Sequence, residues 1–409
     1  MKKTIAIIVT IASVILLATI GVGAYVILKS DKPDKNVVTT YQDENCKRIG
    51  EFTAKTAATV LGSKENVCYS PISLYSLLCL ASEVTTDSTS KEILDAFGYD
   101  ELKDMENNHK YIFKELEADT AAITFKNSNS LWLNDSFAND GAKELINSFA
   151  ERFPIESHLG DYTAEDANLW ISEKTEGLVE DNIVKENKFS IINVAYFESK
   201  WADAFEYYKK DDFTLENGKK VQADYIKNEG ERIYISGDDY IAIKEKYNDK
   251  QGDANMIFIL PDKGKEINDL LNKKTINEIL ATSENIIDKA DVTIKIPKFK
   301  YESCLKTDKM TEAVEKIGIT NFDSASVWEK LIKKNAIEDV EIIQQCSIAV
   351  DEKKTVATGV TKVEMLTTGI EDEEELIKLD ITFDRPFMYI VVRNDIPLFI
   401  GTVYNPTEG

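Results

Sequence analysis

The chain has 409 residues, of which 43% are hydrophobic and 30% are charged, a composition typical of a globular protein and not of a disordered one. Its formal net charge of −23 argues against nucleic-acid binding, which requires a basic surface. The five cysteines are odd in number and scattered, so they do not predict a disulfide framework.

The N-terminal segment predicts export. Lys2 and Lys3 precede an uncharged run, residues 4–28, that is long enough to span a bilayer. Lysines on this side predict a cytoplasmic N-terminus and an exported remainder. Val22 and Ala24 also match the small-residue pattern of a signal-peptidase site. Residues 1–28 are therefore either a signal anchor or a signal peptide, and residues 29–44 form a polar tether. We expect an extracellular protein, secreted or membrane-anchored only through this segment.

Helices dominate the first half of the remaining chain. Pro71 suits the start of a helix because its missing N–H costs nothing there. Hydrophobic periodicity predicts helices at 45–61, from 73 onward, 86–97, 142–153 and 164–179, and strands at 122–134 and 189–197.

Strands dominate the second half. The pattern predicts strands at 233–235, 240–245, 254–260, 292–296, 340–350, 387–392 and 398–404, and helices at 266–280 and 309–317. This order indicates an α+β protein. Because no linker divides the exported part, we predict one large domain, residues 45–409.

Motifs of enzymes and metal sites are missing from the sequence. It has no GxGxxG, no P-loop and no HExxH. Its two histidines, His109 and His158, lack metal-ligand spacing and are predicted to be surface residues. Ser88 and Lys91 match S-x-x-K, but the partner motifs are missing, and a capped helix start explains the match. We therefore predict no enzyme, no cofactor and no metal.

Residues 350–380 form a long connection between two apolar, strand-like runs, and long connections are usually functional or disordered. Four residues on one face of an extended chain are small: Thr355, Ala357, Gly359 and Thr361. This pattern suits a segment that can enter a sheet, where a large inward side chain would overpack. An ordinary strand end that runs into an acidic surface loop is the alternative.

Several stretches, in order, resemble the serpins. Asn66, Ser70, Pro71 and Ser73 match the family's Asn-x-x-x-Ser-Pro-x-Ser motif. Further matches are SEKTEG at 172–177, INVAYFESKW at 192–201, IPKFK at 296–300, EKIGITNF at 315–322, FDRPFMYIV at 383–391 and PLFIGTVYNP at 397–406. Each motif alone is weak, but their order and spacing over residues 45–406 are specific.

The resemblance implies the serpin fold: a single large α+β domain with a helix-rich N-terminal half, a large mixed central sheet, smaller β-sheets and an exposed reactive-centre loop at about 353–380. It also implies a monomeric suicide inhibitor that a target serine protease cleaves, forming a covalent complex while the loop inserts into the central sheet. By position in the motifs, the hinge of the loop comprises Glu352, Lys354, Thr355, Ala357, Gly359 and Thr361. The residues around the opening of the sheet are Ser70, Ser73, Asn193, Trp201, Lys298 and Gln344, and Lys298 is expected to pair with Glu352.

Three departures from the family pattern stand out. Gln344 replaces the usual histidine; its amide could still bond Asn193, so a modified network is expected there. Lys354 replaces a glycine, and the hinge carries Val356, Thr358 and Val360 where alanines are common. These departures keep open a non-inhibitory protein with the same fold, acting in binding or at the cell surface.

Counting from Glu352 as in the family, the reactive bond is Thr368–Gly369, which would suit an elastase-like or chymotrypsin-like protease. The loop is longer than usual, so Met365–Leu366 and Leu366–Thr367 are alternatives. The acidic run 371–375 is either an exosite for a basic protease or a solvated spacer. The Lys-, Glu- and Ile-rich composition suggests a bacterial source.

Overall fold

The computed structural model describes residues 44–150, 152–175, 183–185, 188–280, 288–355 and 376–408. The predicted signal segment, residues 1–28, lies outside these ranges, as does nearly all of the tether. Within them, no helix is both long and apolar enough to cross a membrane.

The described residues form nine α-helices, and six of them lie in the first half of the chain. Their bounds are α1 Glu44–Leu61, α2 Pro71–Val84, α3 Asp87–Phe97, α4 Leu102–Leu116, α5 Ala142–Ala150, α6 Ala164–Lys174, α7 Ile267–Leu270, α8 Lys273–Leu280 and α9 Thr307–Glu315. Local signals set several of these starts. Pro71 lies in the first turn of α2, Thr86 caps α3 by accepting a bond from the Thr89 amide, and Thr163 forms a capping box with Asp166 at α6.

The described residues form sixteen strands, and eleven of them lie in the second half of the chain. Their bounds are β1 Val67–Tyr69, β2 Ala118–Asp119, β3 Ile123–Leu133, β4 Glu156–Leu159, β5 Phe189–Lys200, β6 Glu206–Thr214, β7 Lys220–Ser236, β8 Tyr240–Lys246, β9 Ala254–Pro261, β10 Asp288–Pro297, β11 Phe299–Leu305, β12 Glu341–Val350, β13 Lys354–Thr355, β14 Ile377–Thr382, β15 Phe387–Arg393 and β16 Ile396–Val403. The α+β layout expected from the sequence is confirmed.

The strands form two sheets. In the first, which we call the central sheet, the order is β11-β12-β5-β3-β2, with β4 added on β3 and β13 added on β5. It is mixed, because β12 is parallel to β5 and β4 is parallel to β3, whereas β11 is antiparallel to β12 and β3 is antiparallel to β5. The other sheet has the order β1-β16-β15-β9-β8-β7-β10-β14, with β6 on β7.

The main core lies between the two sheets and extends to the packed faces of α1 and α2. Phe197 of the central sheet meets Phe399 of the other sheet at a centroid distance of 6.2 Å. A second buried cluster lies on the opposite face of the central sheet, where Trp170 and Ile171 of α6 cover Val194 of β5 and Ile343 of β12. Consequently β5 is buried on both faces from Phe189 to Phe197, as its nearly continuous apolar run predicts.

Three predictions of local structure were wrong. The helix predicted at 266–280 is two helices, because Asn272 accepts a bond from the Thr275 amide and so caps a new start. Helix α4 was missed, although its buried residues Met105, Ile112 and Leu116 have helical spacing. Residues 377–380, predicted to be loop, belong to β14, which pairs in parallel with β10.

Candidate functional site

The end of β12 is held by an ion pair. Lys298, which follows β10, places its Nζ 3.1 Å from both carboxylate oxygens of Glu352. The Lys298 side chain is 36% exposed and that of Glu352 is 25% exposed. Partial exposure lets water screen the charges, so the pair fixes the direction of the chain more than it stabilises the fold.

Residues 201–205 hold the same end of β12 from the other side. The Trp201 indole N–H donates to the Asp351 carbonyl at 3.0 Å, and the Phe205 amide donates to the Glu352 carbonyl at 2.8 Å. Trp201 itself is fixed by stacking on Tyr247, with centroids 4.6 Å apart. We call Trp201, Phe205, Lys298, Asp351 and Glu352 the hinge anchor.

Beyond the hinge anchor, the chain turns back and begins a new strand inside the central sheet. In β13, Lys354 pairs with Lys200 and Thr355 pairs with Ser199, antiparallel to β5. The parallel pairing of β12 with β5 runs from Glu341–Ser190 to Cys346–Ala195 and goes no further in the described residues. The central sheet is therefore parted at one end, and β13 occupies the top of the gap.

Buried polar side chains lie where the two parallel strands meet. The Gln344 amide bonds the backbone of Ser70 twice: Oε1 accepts from the Ser70 N–H at 2.9 Å, and Nε2 donates to the Ser70 carbonyl at 3.0 Å. Both residues are fully buried. Gln344 therefore bonds Ser70 and not Asn193, because the two buried backbone groups of Ser70 match both ends of its amide.

Asn193 bonds the neighbouring strand instead. Its Nδ2 donates to the side-chain oxygens of Asn127 at 2.7 Å and Asn129 at 2.9 Å, both on β3. Ser73 donates to Asn127 at 3.0 Å and accepts from Ser70 at 2.7 Å, which joins Asn193 to α2. We call Ser70, Ser73, Asn127, Asn129, Asn193 and Gln344 the opening cluster. It bridges β3, β5, β12 and the start of α2.

The opening cluster extends to a histidine that was predicted to lie on the surface. Asn129 donates to Ser76 Oγ at 3.1 Å, and Ser76 Oγ lies 2.9 Å from His109 Nε2. His109 is 1% exposed, so its prediction was wrong, because the apolar stripe of α4 carries it into the core. Burial lowers the pKa of His109 to about 3 and keeps the ring neutral. His158 is half-buried and stacks on Trp132 at 3.7 Å.

Two amide atoms in the opening cluster have no hydrogen-bond partner: Asn193 Oδ1 and Asn127 Nδ2. Unsatisfied buried polar atoms are uncommon and costly, since each has lost its bonds to water. Asn193 lies where β5 pairs with β12, the two strands that part above it, and Asn127 lies on β3, the other neighbour of β5.

Comparison with known proteins identifies the family. Residues 47–406 match the family model described as serpin (serine protease inhibitor). The chain belongs to the serpin family. It is 24% identical over 364 residues to an alpha-1-antitrypsin-like protein, GS55-MS, of Ictidomys tridecemlineatus, covering 84% of this chain and 83% of that protein. It is 25% identical over 369 residues to a serine protease inhibitor of Cyanea capillata, covering 85% and 94%. The solved structure of a thermophilic serpin, tengpin, in the native state has a TM-score of 0.75 at 22% identity, covering 92% of this chain and 97% of that one.

The serpin family indicates the function of the hinge anchor and the opening cluster. It is described as a family of serine protease inhibitors and not of enzymes, and curated relatives of this chain carry protease-inhibitor names. Within the described residues, no group of His, Cys, Asp or Glu could hold a metal ion.

Several predicted functional residues cannot be placed. Ala357, Gly359 and Thr361 of the hinge, the candidate reactive bonds between Met365 and Gly369, and the acidic run 371–375 lie outside the described residues. Conversely, the sequence did not single out Asn127, Asn129 or Phe205. The alternating asparagines within a strand-like run were a signal for the first two, because they must share one face of β3.

Proposed function

We propose that this serpin is an exported inhibitor that traps a serine protease irreversibly by loop cleavage and loop insertion. The observation that carries the proposal is β13: two hinge residues already pair with β5 at the end where the central sheet is parted. Insertion would extend this strand downward between β5 and β12.

The register of β13 tells where each inserted residue would lie. Continuing the pairs Lys354–Lys200 and Thr355–Ser199 puts Val356 opposite Glu198 and Ala357 opposite Phe197. Directly opposite residues share a face of the sheet. Ser199 and Phe197 are buried, whereas Glu198 and Lys200 are partly exposed. The inserted strand would therefore place its small residues Thr355, Ala357, Gly359 and Thr361 in the buried row.

The same register puts Lys354 in the outer row, opposite the partly exposed Lys200. Further along it puts Thr361 opposite Asn193. The threonine hydroxyl can donate a hydrogen bond, and Asn193 Oδ1 is a buried acceptor without a partner. Insertion would thus satisfy an atom that is unsatisfied before cleavage.

Strand pairing supplies a driving force for insertion. Before cleavage β12 and β5 form a parallel ladder, which is slightly less stable per residue than an antiparallel one. An inserted strand antiparallel to both would replace that ladder with two antiparallel ladders. The uncleaved protein would be held back by its own loop, so its native state is kinetically stable.

The covalent step follows from acyl transfer. The protease serine Oγ attacks the carbonyl carbon of Thr368, the Thr368–Gly369 C–N bond breaks, and the proton of the serine hydroxyl leaves with the Gly369 amine. The ester that remains joins Thr368 to the protease. Insertion of the loop before water hydrolyses this ester would trap the enzyme. Met365–Leu366 and Leu366–Thr367 are the alternative bonds, and the small threonine favours an elastase-like target.

The N-terminal segment supports an extracellular site of action. An uncharged run behind two lysines would deliver the inhibitor domain across the membrane, either anchored or released.

The test uses the chain from residue 29 onward, mixed with an elastase-like serine protease and run on a denaturing gel, with intact-mass analysis of the released peptide. We expect a stable complex at the summed mass, and the peptide identifies the reactive bond. Two neighbouring variants sharpen the result. Ala357→Arg should be cleaved without complex formation, because it puts a charge in the buried row. Val356→Arg should still form the complex, because it faces the outer row.

If the protease cleaves the loop without forming a complex, the melting temperature of the cleaved product shows whether the loop has inserted. A large rise in melting temperature would mean that insertion occurs but is too slow to trap this protease. An unchanged melting temperature would reject the proposal and favour a non-inhibitory binding protein. Equal behaviour of the two arginine variants would reject the register.

A further inference from the structure

A buried ion pair lies next to the hinge anchor, on the neighbouring strands β7 and β8. Arg232 Nε donates to a Glu245 carboxylate oxygen at 2.8 Å, and the two side chains are only 7% and 4% exposed. The guanidinium passes over Gly230, where an added Cβ would lie 2.8 Å from Arg232 Nη1. Gly230 has a φ of +148°, so the backbone itself makes room for the arginine.

The hydrogen bonds of this buried ion pair are incomplete. Arg232 Nη2 has no hydrogen-bond partner. Burial raises the pKa of Glu245 to about 7, Arg232 opposes this rise, and Asp203 adds to it. The adjoining strands contribute uncharged residues at this level: Met256 of β9 lies opposite Glu245, and Ala290 of β10 lies opposite Arg232.

Another buried ion pair joins this sheet to the turn after β8, and further hydrogen bonds to backbone groups complete it. Arg393 of β15 bonds Asp249 at 2.8 Å, with side chains 2% and 1% exposed. The charge outside the pair that acts on Glu245 is that of Asp203, which belongs to the loop of residues 201–205.

That loop connects the ion pair to the hinge. On one side, the Ala202 amide donates to the Lys246 carbonyl at 2.9 Å, and Asn228 Nδ2 donates to the Asp203 carbonyl at 3.0 Å. Lys246 adjoins Glu245 on β8, and Asn228 lies four residues before Arg232 on β7. On the other side, Trp201 and Phe205 bond the carbonyls of Asp351 and Glu352.

We propose that the Arg232–Glu245 pair makes the docking of the hinge dependent on pH, so that mildly acidic solution holds the loop of residues 201–205 closed and neutral or alkaline solution favours its opening. The consequence for inhibition rests on the proposed function, whereas the docking itself does not. A more weakly held hinge would begin insertion sooner after cleavage.

The sign follows from proton linkage. In the closed loop Glu245 is protonated below about pH 7. Opening the loop would hydrate the carboxyl and return its pKa toward about 4.3. Between these values the closed form holds one proton more than the open form, so acidification favours closure. The open fraction should rise about tenfold from pH 6 to pH 8 and level off above that range.

Two other buried titratable groups lie outside this window. Burial lowers the pKa of His109 to about 3. Although burial alone would raise the pKa of Glu106, hydrogen bonds from Lys110, Arg152 and Lys103 lower it to about 2. Burial also lowers the pKa of His158, which stacks on Trp132 and not on the hinge anchor.

The experiment is hydrogen exchange of the Phe205 amide at pH 6, 7 and 8, on the chain from residue 29 onward and without protease, corrected for the intrinsic pH dependence of exchange. We expect its protection to fall about tenfold from pH 6 to pH 8. Glu245→Gln, which is neutral and similar in shape, should give protection that does not change with pH. The double variant Arg232→Met with Glu245→Met should also remove the dependence, since apolar residues often replace buried ion pairs without loss.

Glu229→Gln is the matched control, because Glu229 is an exposed carboxylate on the same strand as Arg232. It should retain the wild-type pH dependence. Protection that is independent of pH in the wild type would overturn the proposal, and so would a Glu245→Gln variant that keeps the dependence. Because no protease is present, these outcomes are separate from success or failure of inhibition.

Discussion

The bidentate bond between Gln344 and the backbone of Ser70 makes the sharpest prediction about the opening cluster. Replacing Gln344 with alanine removes the acceptor of the Ser70 N–H and one donor to the Ser70 carbonyl. That carbonyl keeps a bond from the Leu74 amide at 3.2 Å, whereas the N–H is left buried without a partner. The substitution therefore creates one orphaned donor and a cavity in a fully buried site.

The expected loss in the free energy of unfolding is the sum of three contributions. An unsatisfied buried donor costs about 1–3 kcal/mol, and a lost hydrogen bond costs about 1 kcal/mol. The missing side-chain volume adds about 1 kcal/mol. We expect the free energy of unfolding of Gln344→Ala to fall by about 3–5 kcal/mol. Gln344→Met keeps most of the volume and loses both bonds, so it should fall by about 2–4 kcal/mol.

The assay is urea unfolding followed by tryptophan fluorescence and circular dichroism. With a slope of about 3 kcal/mol/M, the midpoint of Gln344→Ala should move down by about 1 M or more. Gln345 is the matched control: it is the next residue of β12, it is 2% exposed, and its side-chain oxygen has no partner. Gln345→Ala should cost less than about 1 kcal/mol. Equal losses at the two positions, or a Gln344→Met variant as stable as the wild type, would refute the reasoning.

Three further predictions concern the core and its titratable groups. Gly401→Ala should cost about 3 kcal/mol or more in a denaturant titration, because the added Cβ would lie 2.3 Å from the Tyr389 hydroxyl and 2.6 Å from the Val67 carbonyl. Gly141→Ala, whose nearest neighbour would be 3.9 Å away, should stay within about 0.5 kcal/mol, and similar losses at both sites would contradict this reading. His109 has a pKa of about 3 in the fold, so the unfolded chain takes up its proton first and the protein loses stability as pH falls below about 6.5. His109→Gln should lower the midpoint pH of acid unfolding, measured by circular dichroism, and an unchanged midpoint would argue against a buried neutral ring. Glu106 has a pKa of about 2 in the fold, so its contribution is present above about pH 4.3 and is lost as pH falls toward 2. Glu106→Gln should therefore melt at a lower temperature than the wild type at pH 7 and at the same temperature near pH 2, whereas an equal deficit at both values would point to a packing effect.

Short-range patterns identified the elements wherever one physical signal dominated. The run Phe189–Phe197 is apolar on both faces, and it is a strand covered on one face by the core and on the other by α6. Thr86 before a helical pattern marked the start of α3. Where signals competed, the prediction failed: α4 is polar overall, so its narrow apolar stripe was missed, and His109 on that helix was predicted to be a surface residue.

The sequence by itself determined the fold class and the family, because ordered motifs over 360 residues leave few alternative folds, and residues 47–406 match the serpin family. Through the family pattern, the sequence also predicted that Lys298 pairs with Glu352. Only the tertiary structure decided the partners of the buried polar groups. Gln344 bonds Ser70 and not Asn193 because the Ser70 N–H and carbonyl, at the start of α2, lie at hydrogen-bonding distance from the two ends of its amide. The Arg232–Glu245 pair likewise became visible only when β7 and β8 lay side by side, since burial and pairing are properties of neighbours in space and not of neighbours in the chain.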